Sequence, residues 1–293
     1  MTDARSVEGS VGLGLGIGWR PQLAVAIDRI PDLGFVELTA ENVPDPGRVP
    51  GHLRQLTERG VRAVVHGVGL SLGGAEPVEP ARARHLAELA RAVRAPLVSE
   101  HIAFVRAGGR EAGHLLPIPR TRAALGVLCG NVRVAREHLD GLPLALENIS
   151  ALFDWPADQR QMSEADFLCE VVERTGAGLL LDVANVYANC HNLGGDPVAF
   201  LEKLPLDRVA YVHMGGGVEK EGVYHDTHAH AVPQGALALL EELAARTDVP
   251  GVMLERDDNF PDEAELTAEL ERMRGALARG AARRARAVSG GGA

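Results

Sequence analysis

The sequence predicts a single α/β domain, a (βα)8 barrel of the TIM type, on three observations. Eight short runs rich in Val, Leu and Ile alternate with segments of helical period. At 293 residues the chain exceeds most single domains, yet suits this barrel. The residues able to bind metal gather at the C-terminal ends of the predicted strands, the end where such barrels carry their chemistry.

The strands are GLGLGIG (12–18), GFVELTA (34–40), VRAVVHG (61–67), PLVSEHI (96–102), PLALEN (143–148), GLLLDVAN (178–185), RVAYVHMG (208–215) and GVMLERD (251–257). Most follow Gly or Pro, and all have the length and near-continuous apolar character of strands buried on both faces. The stretches PVEPARARHLAELARAV (77–93) and MSEADFLCEVVERTG (162–176) place apolar residues three and four apart, as amphipathic helices do. Ser163 followed by Asp166 marks a helix start. Strand, helix and strand in repetition require parallel pairing through right-handed crossovers, and eight such units close. The first strand spaces glycines every second residue, unlike the G-x-G-x-x-G of a dinucleotide site, so its bare face is expected to leave room inside the barrel.

Composition narrows the function. Hydrophobic residues make up 46% and the net charge is −10, which disfavours a surface built to neutralise phosphates and so excludes nucleic acid as the expected partner. No apolar run reaches the roughly 18 residues of a membrane span. Asp3 and Glu8 sit where a secretory signal would be basic and then apolar, so a cytoplasmic location is expected. Cys129, Cys169 and Cys190 are odd in number and widely spaced, which argues against a disulfide framework. The expected organisation is a flexible N-terminus over 1–10, a metal-binding catalytic barrel over 11–279, and a disordered Arg/Gly-rich tail over 280–293.

Polar residues at the strand ends carry the functional reading. Strand two ends in Glu37 and runs into Glu41-Asn42, strand three ends in His66, and strand four in Glu100-His101. Strand five ends in Glu147-Asn148, strand six in Asp182 and Asn185, strand seven in His213, and strand eight in Glu255. The stretch VYHDTHAHAV (223–232) follows strand seven and adds His225, Asp226, His228 and His230 above the same mouth. An extended backbone there would turn Asp226 and His228 to one side. A single histidine at a strand end is more often a hydrogen-bonded core residue than a ligand. Four histidines (His66, His101, His213, His228) and four carboxylates (Glu147, Asp182, Asp226, Glu255) converging on one mouth exceed what one ion requires. Imidazole and carboxylate together suit iron, manganese or zinc, and bridging carboxylates allow two or three ions. His114 and His191 fall on loops at the mouth, and Cys190 beside His191 reads as a packed thiol rather than a nucleophile.

The motifs HGVGLSLGG (66–74), SEH (99–101), HLLPIP (114–119), ENIS (147–150) and TGAGLLLDVANVYANCHNLGGDP (175–197) resemble the DUF692 family, the multinuclear non-heme iron-dependent oxidative enzymes. The resemblance implies a TIM barrel holding two or three irons of mixed Fe(II)/Fe(III) valence. It implies that O2 serves to modify a residue, often Cys, of a ribosomally made precursor peptide, commonly with a partner protein that captures the peptide leader. On matching motifs it assigns His66, His101 and Glu147 to one iron, with Glu147 bridging. It assigns Asp182, His213, Asp226, His228 and Glu255 to the others. Asn148, Asn185, His191 and Arg256 are the expected substrate contacts. The chain departs from the family where Asp-Val-Asn-Asn becomes Asp182-Val183-Ala184-Asn185 and Glu-Trp-Asp becomes Glu255-Arg256-Asp257. The competing class is a zinc or manganese isomerase or hydrolase resembling sugar isomerases and trinuclear-zinc endonucleases. A binding module that keeps a metal cage without turnover is the third reading.

Overall fold

A computed structural model describes residues 12–290. In chain order its strands are β1 (Gly14–Gly18), β2 (Phe35–Thr39), β3 (Arg62–Gly67), β4 (Val98–His101), β5 (Phe104–Ala107), β6 (Arg110–Leu116), β7 (Leu144–Glu147), β8 (Gly178–Asp182), β9 (Val209–Met214), β10 (Val218–Lys220), β11 (Val223–His225) and β12 (Gly251–Leu254). Its helices are α1 (Ala24–Arg29), α2 (Gly51–Glu58), α3 (Pro80–Val93), α4 (Arg122–Arg136), α5 (Glu164–Thr175), α6 (Val183–Leu193), α7 (Pro197–Lys203), α8 (Gln234–Arg246) and α9 (Glu263–Gly290). The eight predicted strands become β1, β2, β3, β4, β7, β8, β9 and β12, all parallel and closed into one barrel. Two antiparallel hairpins that the sequence reading did not identify, β5–β6 and β10–β11, stand outside it. None of the described helices is long and apolar enough to cross a membrane.

The barrel is filled from the inside by alternate residues. Leu13, Phe35, Val64, Ala145, Leu180, Tyr211 and Met253 form one apolar cluster within it, while a larger cluster packs the outer strand faces against the helices. Gly16 makes the space that its bare face promised: a Cβ there would lie 2.3 Å from the ring of Phe35. Helix starts follow local chemistry, as where the Ser163 hydroxyl accepts the Asp166 amide at the head of α5.

Two expected boundaries are corrected. The strand drawn over 178–185 stops at Asp182, whose side chain accepts the Asn185 amide and so starts α6. Cys190 and His191 therefore lie on a helix rather than a loop. The tail expected to be disordered from 280 is helical to Gly290, because its arginines meet acids on and after α8: Arg279 with Glu241, Arg283 with Glu242, and Arg284 with Asp248. The N-terminal segment 1–10 and residues 291–293 lie outside the described residues.

Candidate metal centre

Period-two alternation builds the site directly on the barrel's apolar layer. Two residues beyond Phe35, Val64, Ala145, Leu180, Tyr211 and Met253 come Glu37, His66, Glu147, Asp182, His213 and Glu255, each pointing inward at the C-terminal end. These side chains occupy the floor of a cavity of about 990 Å³ whose lining includes His66, His101, Glu147, Asp226, His228 and Glu255. Asp182 and His213 lie beneath that lining, fully buried.

The ligand-capable atoms fall into overlapping sets of three. In the first, His66 Nε2 and His101 Nε2 are 3.3 Å apart, and Glu147 Oε2 lies 3.4 Å and 3.3 Å from them. Metal–ligand bonds of about 2.0–2.2 Å place neighbouring donor atoms roughly 2.8–3.6 Å apart, so the spacing suits one ion. The second set joins Glu147 to Asp182 and His213, with Glu147 Oε1 3.2 Å from His213 Nδ1. Glu147 thus turns one oxygen to each set, the arrangement a bridging carboxylate needs. The third joins Asp182, His228 and Glu255, and a fourth joins Glu37, His213 and Glu255. Asp226 stands outside these sets and meets one member of the third, its Oδ2 lying 2.9 Å from His228 Nε2.

The barrel and its loops hold these groups in place. Asn148 clamps Asp182 by donating to its carbonyl and accepting its amide, while Asp182 Oδ1 caps α6 and Oδ2 has no partner among the described residues. His213 Nε2 donates to Glu37 at 2.9 Å, which leaves Nδ1 for the cavity. Asp226 and His228 meet through a turn rather than the extended segment expected, with His228 at φ 50°. Gly215 permits this, since a Cβ there would lie 2.5 Å from the His228 ring. Asp257 Oδ2 holds His228 Nδ1 at 3.2 Å and is itself gripped by Arg20, whose Nη2 also reaches Glu255 at 3.3 Å.

Charge balance supports cations here. Glu37, Glu147, Asp182, Asp226 and Glu255 are grouped with neutral-capable imidazoles, and Arg20 brings a guanidinium against Glu255 at their edge. Buried unpaired carboxylates cost several kcal/mol each; against the opposing effect of burial, Glu37 and Glu147 push His213, and Glu255 and Asp226 push His228, well above the usual imidazole range, so in the metal-free site protons supply the counter-charge that a bound cation would take over. Burial, with Asp226 and Glu147 nearby, drives the Asp182 carboxyl well above its usual range. Burial also opposes charge on Glu147 and His101, but His213 and His101 hold Glu147 down to about 2, and Glu147 and Glu100 hold His101 up to about 9. Glu147 Oε2, Asp182 Oδ2, His213 Nδ1 and His228 Nε2 are buried without a hydrogen-bond partner among the described residues. Metal ions in the overlapping sets would give these atoms partners.

The eight ligand candidates therefore converge, whereas the four expected substrate contacts scatter. Asn185 lines the cavity. Asn148 is spent on the Asp182 backbone. His191 stands beside Tyr187 and Tyr224, away from the cavity lining. Arg256 points outward and pairs with Glu269 of α9 at 2.5 Å, because the strand's alternation sends 255 and 257 inward. His114 lies on β6 at the rim, and His225 also lines the cavity. His230 bonds Thr227 within its own turn. Sequence reasoning missed the orienting roles of Glu37, Asp257 and Arg20. An Arg two residues after a strand and an Asp two after the last ligand were the available signals.

Comparison with known proteins agrees with the motifs. The family described as "RiPP precursor modification enzyme MbnB/TglH/ChrH" matches residues 14–278. A UPF0276 protein of Streptomyces avermitilis is 54% identical over 272 residues, covering 90% of this chain and 55% of that protein, so the chain spans about half of that relative's length. A UPF0276 protein of Chromobacterium violaceum is 40% identical over 266 residues, covering 89% of this chain and 94% of the relative. Among solved structures, D-psicose 3-epimerase with D-tagatose from Clostridium cellulolyticum superposes with TM-score 0.61 at 13% identity, over 90% and 99% of the two chains. A xylose isomerase domain protein from Planctomyces limnophilus gives 0.56 at 17% identity over 91% and 94%. At such identities the structural likeness shows the barrel alone. The sequence relationship goes further: the chain belongs to the MbnB/TglH/ChrH family, the RiPP precursor modification enzymes that its motifs resemble.

Proposed function

We propose that this protein is an iron-dependent, O2-using oxidase that modifies a residue of a ribosomally synthesised precursor peptide in the cytoplasm. The observation that carries the reading is the sharing of Glu147 and Asp182 between overlapping ligand sets, which suits two or three ions better than one; iron of mixed valence is what the family resemblance implies for them. His66, His101 and Glu147 would hold one; Asp182, His213, Asp226, His228 and Glu255 would hold the rest. Bound iron would supply the redox chemistry for an O2-dependent modification of a substrate residue, a Cys foremost.

The chain's own residues position and shelter that chemistry. Glu37 and Asp257 fix the His213 and His228 rings, as carboxylates beside ligating imidazoles do. The floor is closed to water by the apolar layer below it. Above, Leu115, Leu116, Pro117, Leu152 and Phe153 give one side of the rim an apolar surface, with Leu152 57% and Phe153 47% exposed. Such a lip suits the side chains of an extended peptide better than a sugar, which favours the peptide reading over an isomerase. The same reading includes a separate protein that captures the peptide leader.

The test is turnover of the peptide encoded beside this gene, with its partner protein, followed by mass spectrometry and an oxygen electrode. Iron-loaded enzyme should consume O2 and shift the peptide mass. Product formed under strict anaerobiosis, or equally well with zinc or manganese in place of iron, would end the proposal.

A further inference from the structure

We infer that Tyr211, acting with Ser99 and Glu37, is a positioning residue that ties the imidazoles of His66 and His213 into one hydrogen-bonded chain through the barrel interior. The inference rests on the reading that these two rings hold metal.

The links are short and buried. His66 Nδ1 lies 2.8 Å from Ser99 Oγ, Ser99 Oγ lies 2.6 Å from the Tyr211 oxygen, and Tyr211 donates to Glu37 Oε2 at 2.5 Å. His213 Nε2 reaches the same Glu37 oxygen at 2.9 Å. All five residues are at most 3% exposed, and Tyr211 is otherwise surrounded by the barrel's apolar layer. A hydroxyl in that layer needs a partner, and here it has two.

The direction of every proton follows from the chemistry of the end group. An ionised carboxylate only accepts, so Tyr211 O–H and His213 Nε2–H both donate to Glu37. With its proton spent, the Tyr211 oxygen accepts from Ser99. Ser99 in turn has only its lone pairs left for His66, which must present Nδ1–H. The chain therefore leaves His66 Nε2 and His213 Nδ1, and not the opposite ring nitrogens, as the atoms that a metal would take. Those atoms face opposite oxygens of Glu147, at 3.4 Å and 3.2 Å. Two rings that coordinate through different nitrogens are thus set by one internal relay, with Tyr211 in its middle. Phe at this position would keep the edge-to-face packing on Phe35, whose centroid is 5.9 Å away, but would cut the relay.

The test titrates the metal-free full-length protein with Co(II) under anaerobic conditions, reading stoichiometry and the visible ligand-field bands, for wild type, Tyr211→Phe, Ser99→Ala and the double variant. Wild type should fill at least two positions. Tyr211→Phe should bind about tenfold more weakly at both and shift the bands, the scale of effect expected when a ligand's hydrogen-bond partner is removed. Ser99→Ala should weaken the His66 position, and the double variant should fall short of the product of the two losses because both cut one chain. Ser99→Ala removes a single oxygen and carries the test alone should Tyr211→Phe fail to fold. Wild-type affinity and wild-type bands in the variants would overturn the relay while leaving the metal reading intact. A wild type that binds no Co(II) would overturn the metal reading itself.

Discussion

At Asp182 one side chain has two tasks: an oxygen caps α6 and the other is buried beside the Glu147 and His213 donors without a partner among the described residues. That economy recurs in the site, where Ser99 holds His66, Glu37 holds His213, Asp257 holds His228 and Arg20 holds Glu255. Gly215 is a less conspicuous neighbour of His228. Gly215→Ala should push the His228 ring aside and lower metal content by one ion, as read by inductively coupled plasma mass spectrometry, with the circular dichroism spectrum unchanged; wild-type stoichiometry would refute the role. The cysteines are expected to be inert. Burial first, then Glu164 and Asp196, pushes the Cys190 thiol up to about 11, and burial raises Cys129 and Cys169 as well. A raised thiol pKa leaves less thiolate, about a hundredfold less for Cys190 at pH 8, so iodoacetamide should label it slowly until the pH passes 10. Fast labelling at pH 8 would contradict this. The ligands were legible in the sequence because strand alternation forces each inward from a known end. Glu37 was visible there as a strand-end carboxylate, but its task depends on Tyr211 and His213, 174 and 176 positions away, and no local pattern encodes such a pairing.

At the scale of elements, the eight barrel strands were legible because burial on both faces leaves almost nothing but Val, Leu and Ile in them. The hairpins β5–β6 and β10–β11 were not, since their strands are partly or fully exposed and carry no continuous apolar run. The last turns of α9 were misread for the opposite reason. Their Arg and Gly content suits disorder by composition, and only the acids of α8 convert it into a docked helix. At Gly280 the two helices pack tightly: a Cβ would lie 2.4 Å from the Glu241 carbonyl and 2.6 Å from Ala244 Cβ. Gly280→Ala should therefore destabilise the fold by about 1–3 kcal/mol through overpacking, seen as a lower urea midpoint. If the segment were a free helix or a disordered tail, the same change would leave the midpoint unmoved or raise it through helix propensity.

For the molecule as a whole, the barrel brings residues from seven of its strands and one long loop to a single rim, and family membership gives that rim a kind of work. The parallel topology explains why groups spread from His66 to Glu255 meet: every strand delivers its C-terminal end to the same side. The turn that carries Asp226 and His228 then closes the cage from above. The most direct measurement of this arrangement is anomalous diffraction at the iron edge from crystals of the iron-loaded protein. Two or three peaks should lie between the imidazoles, with Glu147 touching two of them. A single peak, or none among these side chains after full iron loading, would contradict the shared cage on which the functional reading stands.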